Sequence, residues 1–246
     1  MKAALLGGTK GIGRALARLL AEKGHDVCLL GRNVDDLERS ADDLRIRSAS
    51  GKAVFSIHCD LLRPETFGPG LDEAAAKLEG LDCVIVTAAM FAPQDRLESD
   101  RALARDLLTT NFTNTVLFCE EARERLLARG GGTLCVLSSV SGERARKPVI
   151  LYGATKAGLS AYLEGLDHKF RSQGLKTISV KPGFVKTGMT AGLSPPPFAG
   201  EPEGVAKDIL AAIERGTPAL YTPATWRWVM LVMRNLPRFV MRRIEF

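Results

Sequence analysis

Residues 2–21 read KAALLGGTKGIGRALARLLA, a short apolar run that passes through a glycine-rich turn into an alanine- and leucine-rich helical pattern. Gly7, Gly11 and Gly13 stand in the order G-x-x-x-G-x-G at that turn. Glycine has no Cβ atom, so it permits a tight turn and lets a phosphate group approach the amides of a helix N-terminus. The stretch therefore predicts a nucleotide-binding strand–turn–helix unit at the start of the chain.

The same alternation continues along the chain and predicts one doubly wound α/β domain. Apolar runs typical of buried parallel strands occur at 2–7, 26–31, 52–57, 81–86, 133–138, 176–180 and 218–223. Helical patterns lie between them at 12–23, 33–47, 65–78, 98–129 and 151–172. We expect a parallel sheet with helices on both faces over residues 1–223. Residues 183–202 form an irregular stretch that is longer than ordinary loops, and we interpret it as a substrate lid.

Composition narrows the class of protein. The chain has 246 residues, of which 46% are hydrophobic, which suffices for a large core. Its five cysteines form no C-x-x-C pair and its three histidines are isolated, so no metal site is predicted and reduced thiols are expected. The first residues lack the features of a secretory signal, and no apolar stretch has spanning length. We expect a cytoplasmic protein with no nucleic-acid partner.

The end of the second strand predicts which dinucleotide binds. An acid there would hold the ribose hydroxyls of NAD. This chain has Gly31 at that place, followed by Arg32 and Asn33, and Lys10 lies inside the glycine turn. Two cations suit a 2′-phosphate, so NADP(H) is predicted, with ordinary surface charge as the alternative.

Further motifs identify a family by resemblance. The chain resembles the short-chain dehydrogenase/reductase family from residue 2 to about 222, and the resemblance implies a Rossmann-type fold. The matching segments are LGGTKGIG (6–13), HCDL (58–61), TTNFTN (109–114), LSSVSG (137–142), YGATK (152–156) and KPGFVKTGMT (181–190). One segment departs from the family, because Val86-Thr87-Ala88-Ala89 stands where Asn-Asn-Ala-Gly is usual.

The resemblance implies the site residues. The catalytic residues are Asn111, Ser139, Tyr152 and Lys156. The cofactor-binding residues are Gly7, Thr9, Lys10, Gly11, Ile12, Gly13, Arg32, Asn33, Asp60, Leu61, Ala88, Tyr152, Lys156, Pro182, Gly183, Val185 and Thr187. Asp60 would contact the adenine, the Ala88 backbone the ribose, and Thr187 the nicotinamide amide.

The spacing of Tyr152 and Lys156 has a chemical reading of its own. A spacing of four puts both side chains on one helical face. An ordinary tyrosine, with a pKa near 10, is a poor acid or base at neutral pH, and a nearby ammonium is expected to lower that pKa. By resemblance, Lys156 also bonds the nicotinamide ribose, Ser139 bonds the substrate carbonyl, and Asn111 holds a water of the proton relay. Tyr162 and Tyr221 lack a lysine at this spacing and are interpreted as packing residues.

Residues 224–246 form an unusually basic end. They hold five arginines and one acid: Arg227, Arg234, Arg238, Arg242, Arg243 and Glu245. At 100° per residue the first four arginines lie on one side and Val229, Val232, Leu236 and Val240 opposite, while Pro237 should kink the helix. This pattern, which follows two tryptophans, predicts an amphipathic tail on an anionic membrane surface. The alternative is a tail packed on the body or on a dimer mate.

The sequence leaves three hypotheses about function. The tail also resembles the carboxy-terminal part of polyprenylphosphoryl-keto-pentose reductases of the decaprenylphosphoryl-2-keto-ribose type. The first hypothesis is therefore an NADPH-dependent carbonyl reductase for a small-molecule, lipidic or lipid-linked substrate, active as a homo-oligomer and peripheral to the inner face of the membrane. A soluble 3-oxoacyl-carrier-protein reductase is the second. A non-catalytic NADP-binding regulatory protein is the third, and the intact Ser139–Tyr152–Lys156 set argues against it.

Overall fold

The computed structural model describes residues 1–48 and 51–244 and has a seven-stranded parallel sheet at its centre. The strands are β1 (Lys2–Leu6), β2 (Asp26–Gly31), β3 (Val54–His58), β4 (Cys83–Val86), β5 (Gly132–Leu137), β6 (Leu175–Pro182) and β7 (Ala219–Thr222). Their spatial order is β3-β2-β1-β4-β5-β6-β7, so the order reverses between β1 and β4. In sheets of this kind ligands bind beyond the carboxyl ends of the strands at that reversal.

Helices cover both faces of the sheet and give it two hydrophobic cores. They are α1 (Gly11–Glu22), α2 (Val34–Arg47), α3 (Phe67–Lys77), α4 (Gln94–Ser99), α5 (Arg101–Leu108), α6 (Asn114–Ala128), α7 (Ile150–Phe170), α8 (Pro202–Arg215), α9 (Thr225–Asn235) and α10 (Arg238–Met241). The core on one face packs α1, α2 and α8 against the sheet, and the core on the other packs α3, α6 and α7. The predicted single Rossmann-type α/β domain is confirmed.

Two helical predictions differ from the structure. The pattern at 98–129 is not one helix, because a π-helical turn at Thr109–Thr113 separates α5 from α6. Helix α8 was not predicted at all, although it begins at the end of the predicted lid. Residues 183–201 are irregular as predicted, apart from a 3₁₀ turn at Gly188–Thr190 and a β-bridge between Val185 and Gly200.

The carboxy-terminal segment packs on the body with a face that the sequence did not indicate. Trp226 and Met230 are almost completely buried against Val140, whereas Val232 is 62% exposed. Of the predicted apolar face, Val229 packs at the edge of this cluster, Leu236 and Val240 are partly buried and Val232 is exposed, because the surface that receives α9 selects the side chains at 226 and 230. The chain breaks between α9 and α10 at Pro237, as its missing amide requires. Glu245 lies outside the described residues.

The far side of α9 remains apolar at the surface. Trp228 is 67% exposed, Leu231 44% and Val232 62%, and Phe239 of α10 is 62% exposed. We call Trp228, Leu231, Val232 and Phe239 the outer face. Among the described residues, no helix combines the length and the apolar character needed to cross a membrane.

Candidate active site

The glycine turn between β1 and α1 adopts a conformation that side chains would prevent. Gly7 and Gly11 have φ angles of +98° and +52°, in the left-handed region. A Cβ atom at Gly7 would approach the backbone nitrogen of Ala88 to 2.6 Å, and one at Gly11 would meet the Thr187 side chain at 3.3 Å. The backbone therefore passes close to the chain end of β4 and leaves the N-terminus of α1 open to a phosphate.

Thr87 stands at a position where the family resemblance leads us to expect an asparagine. Its hydroxyl lies 3.2 Å from the carbonyl oxygen of Leu6 and 3.0 Å from that of Gly7, and it can donate to either. The backbone amides of Thr87 and Ala88 both donate to the Leu6 carbonyl. The end of β4 is thus tied to the glycine turn, and the bracing that an asparagine would supply is supplied by a threonine.

Next to this turn, a cavity of about 200 Å³ opens at the carboxyl ends of β1, β2 and β3. Eight of the predicted cofactor residues line it: Gly7, Thr9, Lys10, Arg32, Asn33, Asp60, Leu61 and Ala88. Thr110 also lines it, and its buried hydroxyl has no hydrogen-bond partner among the residues described. The residues present fit a dinucleotide, because the cavity joins an open helix N-terminus to a rim of hydrogen-bonding groups.

Charges on the cavity rim include one acid that the sequence analysis did not single out. Asp36 lies 3.2 Å from the Lys10 ammonium, and its backbone amide donates to the side chain of Asn33, which caps α2. The hydrogen bond with Lys10 holds the pKa of Asp36 below its ordinary value. Arg32 is exposed on the same rim and forms no ion pair within residues 1–48 and 51–244. Arg32 is therefore the cation best placed to meet a 2′-phosphate.

Ser139 and Tyr152 come together from β5 and α7. Ser139 follows the end of β5, is 9% exposed, and accepts a hydrogen bond from the amide of Ser141 at 3.1 Å. Tyr152 lies in the first turn of α7, with its ring against the edge of Phe91 at 5.4 Å between centroids. The Ser139 side chain lies near enough to the Tyr152 hydroxyl for hydrogen bonding between them to lower the pKa of Tyr152. A phenol hydroxyl and a serine hydroxyl that lie close together are suited to deliver a proton to a carbonyl oxygen.

Burial, more than Lys156, sets the acidity of Tyr152. It raises the pKa of Tyr152 to about 12, while the hydrogen bond with Ser139 and the charge of Arg146 lower that pKa in part. The expectation that Lys156 lowers the pKa is therefore not met in this structure. The Lys156 ammonium lies 5.7 Å from the centre of the tyrosine ring and donates instead to the Leu137 carbonyl at 2.9 Å. Burial also lowers the pKa of Lys156 to about 8.

Asn111 lies in the π turn between α5 and α6, where its side chain braces a neighbouring loop. Its amide oxygen accepts from the Met90 backbone amide at 2.7 Å, and its amide nitrogen donates to the Met90 carbonyl at 2.8 Å. Both polar atoms are thus engaged in holding the segment after β4. Its part in a proton relay stays a prediction.

The remaining predicted residues lie on the loop after β6. Pro182 ends that strand, and the amide of Gly183 donates to the Thr222 carbonyl of β7 at 3.0 Å. Val185 is buried, and Thr187 begins the 3₁₀ turn with its side chain facing Gly11. Ile12 is partly buried against the core under α1. The loop thus returns to the glycine turn at the contact between Thr187 and Gly11.

Comparison with known proteins agrees with this geometry. A family model described as short chain dehydrogenase matches residues 2–197. An uncharacterised oxidoreductase of Mycobacterium tuberculosis is 32% identical over 240 residues, covering 98% of this chain and 95% of that protein. Carbonyl reductase family member 4 of Xenopus laevis is 26% identical over 219 residues, covering 86% and 90%.

The fold has close counterparts among solved structures. A short-chain dehydrogenase from Sphingobium yanoikuyae in complex with NADPH superposes with a TM-score of 0.82 at 24% identity, and the match covers 97% of each chain. A family match over most of the sequence thus agrees with three features of the structure: the sheet order, the glycine turn and the Ser139–Tyr152–Lys156 set. The chain belongs to the short-chain dehydrogenase/reductase family and is a nicotinamide-dinucleotide-dependent oxidoreductase.

Proposed function

We propose that this protein is an NADPH-dependent carbonyl reductase whose substrate is lipidic or lipid-linked, with a polyprenyl-phosphate keto sugar as the sharpest form of the hypothesis. The observation that carries the chemistry is the closeness of Ser139, after β5, to Tyr152, in the first turn of α7, together with a cavity that eight predicted cofactor residues line. The observation that supports the substrate class is the outer face on the adjoining carboxy-terminal helices.

The proton chemistry follows from the acidity of the two hydroxyl groups. With a pKa of about 12, Tyr152 is protonated at neutral pH, which is the form needed to give a proton to a carbonyl oxygen. Ser139 lies near the Tyr152 hydroxyl and can donate a hydrogen bond to the negative charge that grows on that carbonyl oxygen. As the proton leaves, the positive charge of Arg146 stabilises the phenolate.

NADPH supplies the hydride when it is bound. The glycine turn would hold its diphosphate, Arg32 and Lys10 the 2′-phosphate, and Lys156 the ribose near the reacting carbon. Lys156 is poised for such a contact because its ammonium is buried and, among the described residues, donates a hydrogen bond only to the Leu137 carbonyl. A second acceptor would relieve part of the cost of burying that charge.

The lipidic nature of the substrate is supported by where apolar side chains reach the surface. The lid loop exposes Met189, Leu193 and Phe198, the last at 60%. The lid loop is attached to the helix that carries most of the outer face, since the carbonyl of Phe198 accepts a hydrogen bond from Trp226 of α9. Arg227, Arg238, Arg242 and Arg243 are exposed on the same helices and the segment that follows them. Apolar groups flanked by arginines suit the interface of an anionic membrane.

The test is NADPH oxidation by the purified protein against a panel of carbonyl compounds. The panel contains a polyprenyl-phosphate keto sugar in detergent, acyl-thioester ketones, keto steroids and small water-soluble ketones. We expect the highest kcat/KM for a lipid-linked compound, with NADPH preferred to NADH. A preference for the 3-oxoacyl thioester on its carrier protein would support the soluble alternative and overturn the lipid assignment. Absence of turnover with every class of carbonyl compound would contradict the proposal that the protein is a carbonyl reductase.

A further inference from the structure

Helix α9 carries a tryptophan that touches both ends of the lid loop. The indole nitrogen of Trp226 donates to the carbonyl of Phe198 at 3.3 Å, near the end of the loop. At the start of the loop, a Cβ atom on Gly183 would overlap the indole ring, so the ring lies directly against that backbone. One side chain therefore fixes the separation of two points that are 15 positions apart in the sequence (198 − 183).

The same helix also contacts the segment that carries Ser139. Trp226 and Met230 pack on Val140, the residue after Ser139, and Phe184 joins the cluster beside Gly183. The helix thus contacts Val140, the immediate neighbour of Ser139, and Phe184, which precedes Thr187 on the lid loop.

Polar contacts reinforce this attachment. The Glu143 side chain is 7% exposed, and its carboxylate receives hydrogen bonds from Lys181 at 2.6 Å and Tyr221 at 2.9 Å. Arg234 of α9 lies 3.1 Å from the same carboxylate. A guanidinium nitrogen of Arg144 donates to the Leu236 carbonyl at 2.5 Å. The segment after Ser139, the end of β6 and α9 therefore meet at one buried acid.

We propose that Trp226 is a positioning residue of the active site, which holds the lid loop in the conformation that closes over the bound dinucleotide beside Ser139. This inference rests on the proposed function for its effect on turnover, but its structural part does not. Trp226 acts through the backbone of the lid and through Val140, and it has no role as a proton donor. The outer face lies on the other side of the helix. One side of α9 can therefore position the lid loop while the other side contacts a membrane.

The chain offers a matched control, because its second tryptophan lies two positions away with the opposite exposure. Trp226→Phe keeps an aromatic ring and removes the indole donor and part of the contact with Gly183. Trp228→Phe makes the same chemical change at a side chain that is 67% exposed. Lys186 is the lysine within the lid loop, and its side chain is 51% exposed, so trypsin cleavage there reports opening of the loop.

The experiment measures the rate of tryptic cleavage at Lys186 by mass spectrometry, with and without NADPH, together with Tm. We expect NADPH to protect Lys186 in the wild type and in Trp228→Phe. In Trp226→Phe we expect cleavage to be about fivefold faster and protection to be largely lost, since one hydrogen bond corresponds to roughly that factor. The Tm should change by no more than a few degrees. With a water-soluble ketone that the wild type reduces, kcat/KM should fall by a similar factor in Trp226→Phe alone.

Equal cleavage at Lys186 in the two variants would overturn the inference. A lower Tm in Trp226→Phe, together with faster cleavage throughout the chain, would also overturn the inference. Trp226 would then stabilise the whole fold and not the lid loop in particular. A protein that shows the expected protection pattern but reduces no carbonyl compound would keep the lid assignment and contradict the proposed function. A Gly183→Ala substitution adds an independent check, since its added methyl group should be less harmful to NADPH protection in the Trp226→Phe background than in the wild type.

Discussion

At the residue scale, we expect cofactor choice to depend on Arg32. Arg32 is exposed on the rim of the dinucleotide cavity, whereas Lys10 forms a salt bridge with Asp36. Arg32→Asp should shift preference from NADPH towards NADH by roughly ten- to a hundredfold, because a charge-assisted contact is lost and a repulsion is added. The measurement is the ratio of kcat/KM for the two cofactors. Lys207→Asp on α8 makes the same charge change away from the cavity and should leave the ratio unaltered. A wild type that already prefers NADH would refute the assignment.

A second residue-scale prediction concerns the cost of burying Lys156. The pKa of Lys156 is about 8 in the folded chain, against an ordinary value of 10.5. Between these values the unfolded chain binds more protons, so this group makes stability rise with pH, and its penalty is fully present below pH 8. Lys156→Met should therefore raise the free energy of unfolding at pH 7 by roughly 1–3 kcal/mol while it abolishes turnover.

Thermal unfolding of the two proteins across the alkaline range checks this prediction. The stability difference between Lys156→Met and the wild type should shrink as pH rises from 8 towards 10.5. A methionine variant that is less stable than the wild type at pH 7 would show that the bond to the Leu137 carbonyl outweighs the buried charge.

At the element scale, the strands could be predicted from sequence because buried parallel strands are continuous apolar runs. Each predicted strand falls within two residues of the observed ends. Helix α8 follows the long irregular stretch without a break, since it begins at Pro202, the last residue of the predicted lid. The π turn at Asn111 could not be predicted, since one extra residue in a helical turn changes no residue type.

The face of α9 shows why amphipathic patterns can mislead. The angles of the side chains are correct, but two stripes of apolar residues exist, and the sequence does not say which of them meets the body. The bulky Trp226 and Met230 fill the space between Val140 and Phe184, so the smaller valines are left at the periphery. Likewise, the sequence does not indicate that Asp36 and Thr87 belong to the site, because only the fold brings them to the glycine turn.

The bracing by Thr87 gives an element-scale prediction. Thr87→Val keeps the shape of the side chain and removes the hydroxyl that bonds the Leu6 and Gly7 carbonyls. We expect a loss of roughly 1–2 kcal/mol in the free energy of unfolding and weaker NADPH binding, because the glycine turn loses its link to β4. Chemical denaturation and a fluorescence titration with NADPH measure the two effects. Thr225→Val, at an exposed position, is the control, and equal behaviour of both variants would contradict the bracing role.

At the scale of the whole molecule, the outer face is expected to bind anionic membranes. Each arginine near anionic lipid contributes about 1 kcal/mol, and salt weakens that part, whereas burial of Trp228 and Val232 is insensitive to salt. The protein should sediment with anionic vesicles at low salt and less so at high salt. Truncation after Pro223 is an unsuitable test, because it also removes Trp226 and Met230 from the core.

Surface substitutions give the discriminating comparison. Trp228→Ser with Val232→Ser should abolish vesicle sedimentation and preserve reduction of a water-soluble ketone. Ile46→Ser removes another exposed apolar side chain, 87% exposed on α2, and should sediment like the wild type. Equal sedimentation of the double variant and the wild type would contradict membrane docking through the outer face. The predicted homo-oligomer is independent of this test and stays a prediction.

The central claim is that Tyr152 gives the proton in an NADPH-dependent reduction, and one substitution tests it most directly. Tyr152→Phe removes the hydroxyl that bonds Ser139 and keeps the ring against Phe91. The rate of NADPH oxidation with the best carbonyl substrate, measured beside the Kd for NADPH, should fall by a factor of about 100 or more with little change in Kd, as expected when a general acid is removed. Retention of more than about a tenth of the wild-type rate, well above what loss of a general acid permits, would contradict the account.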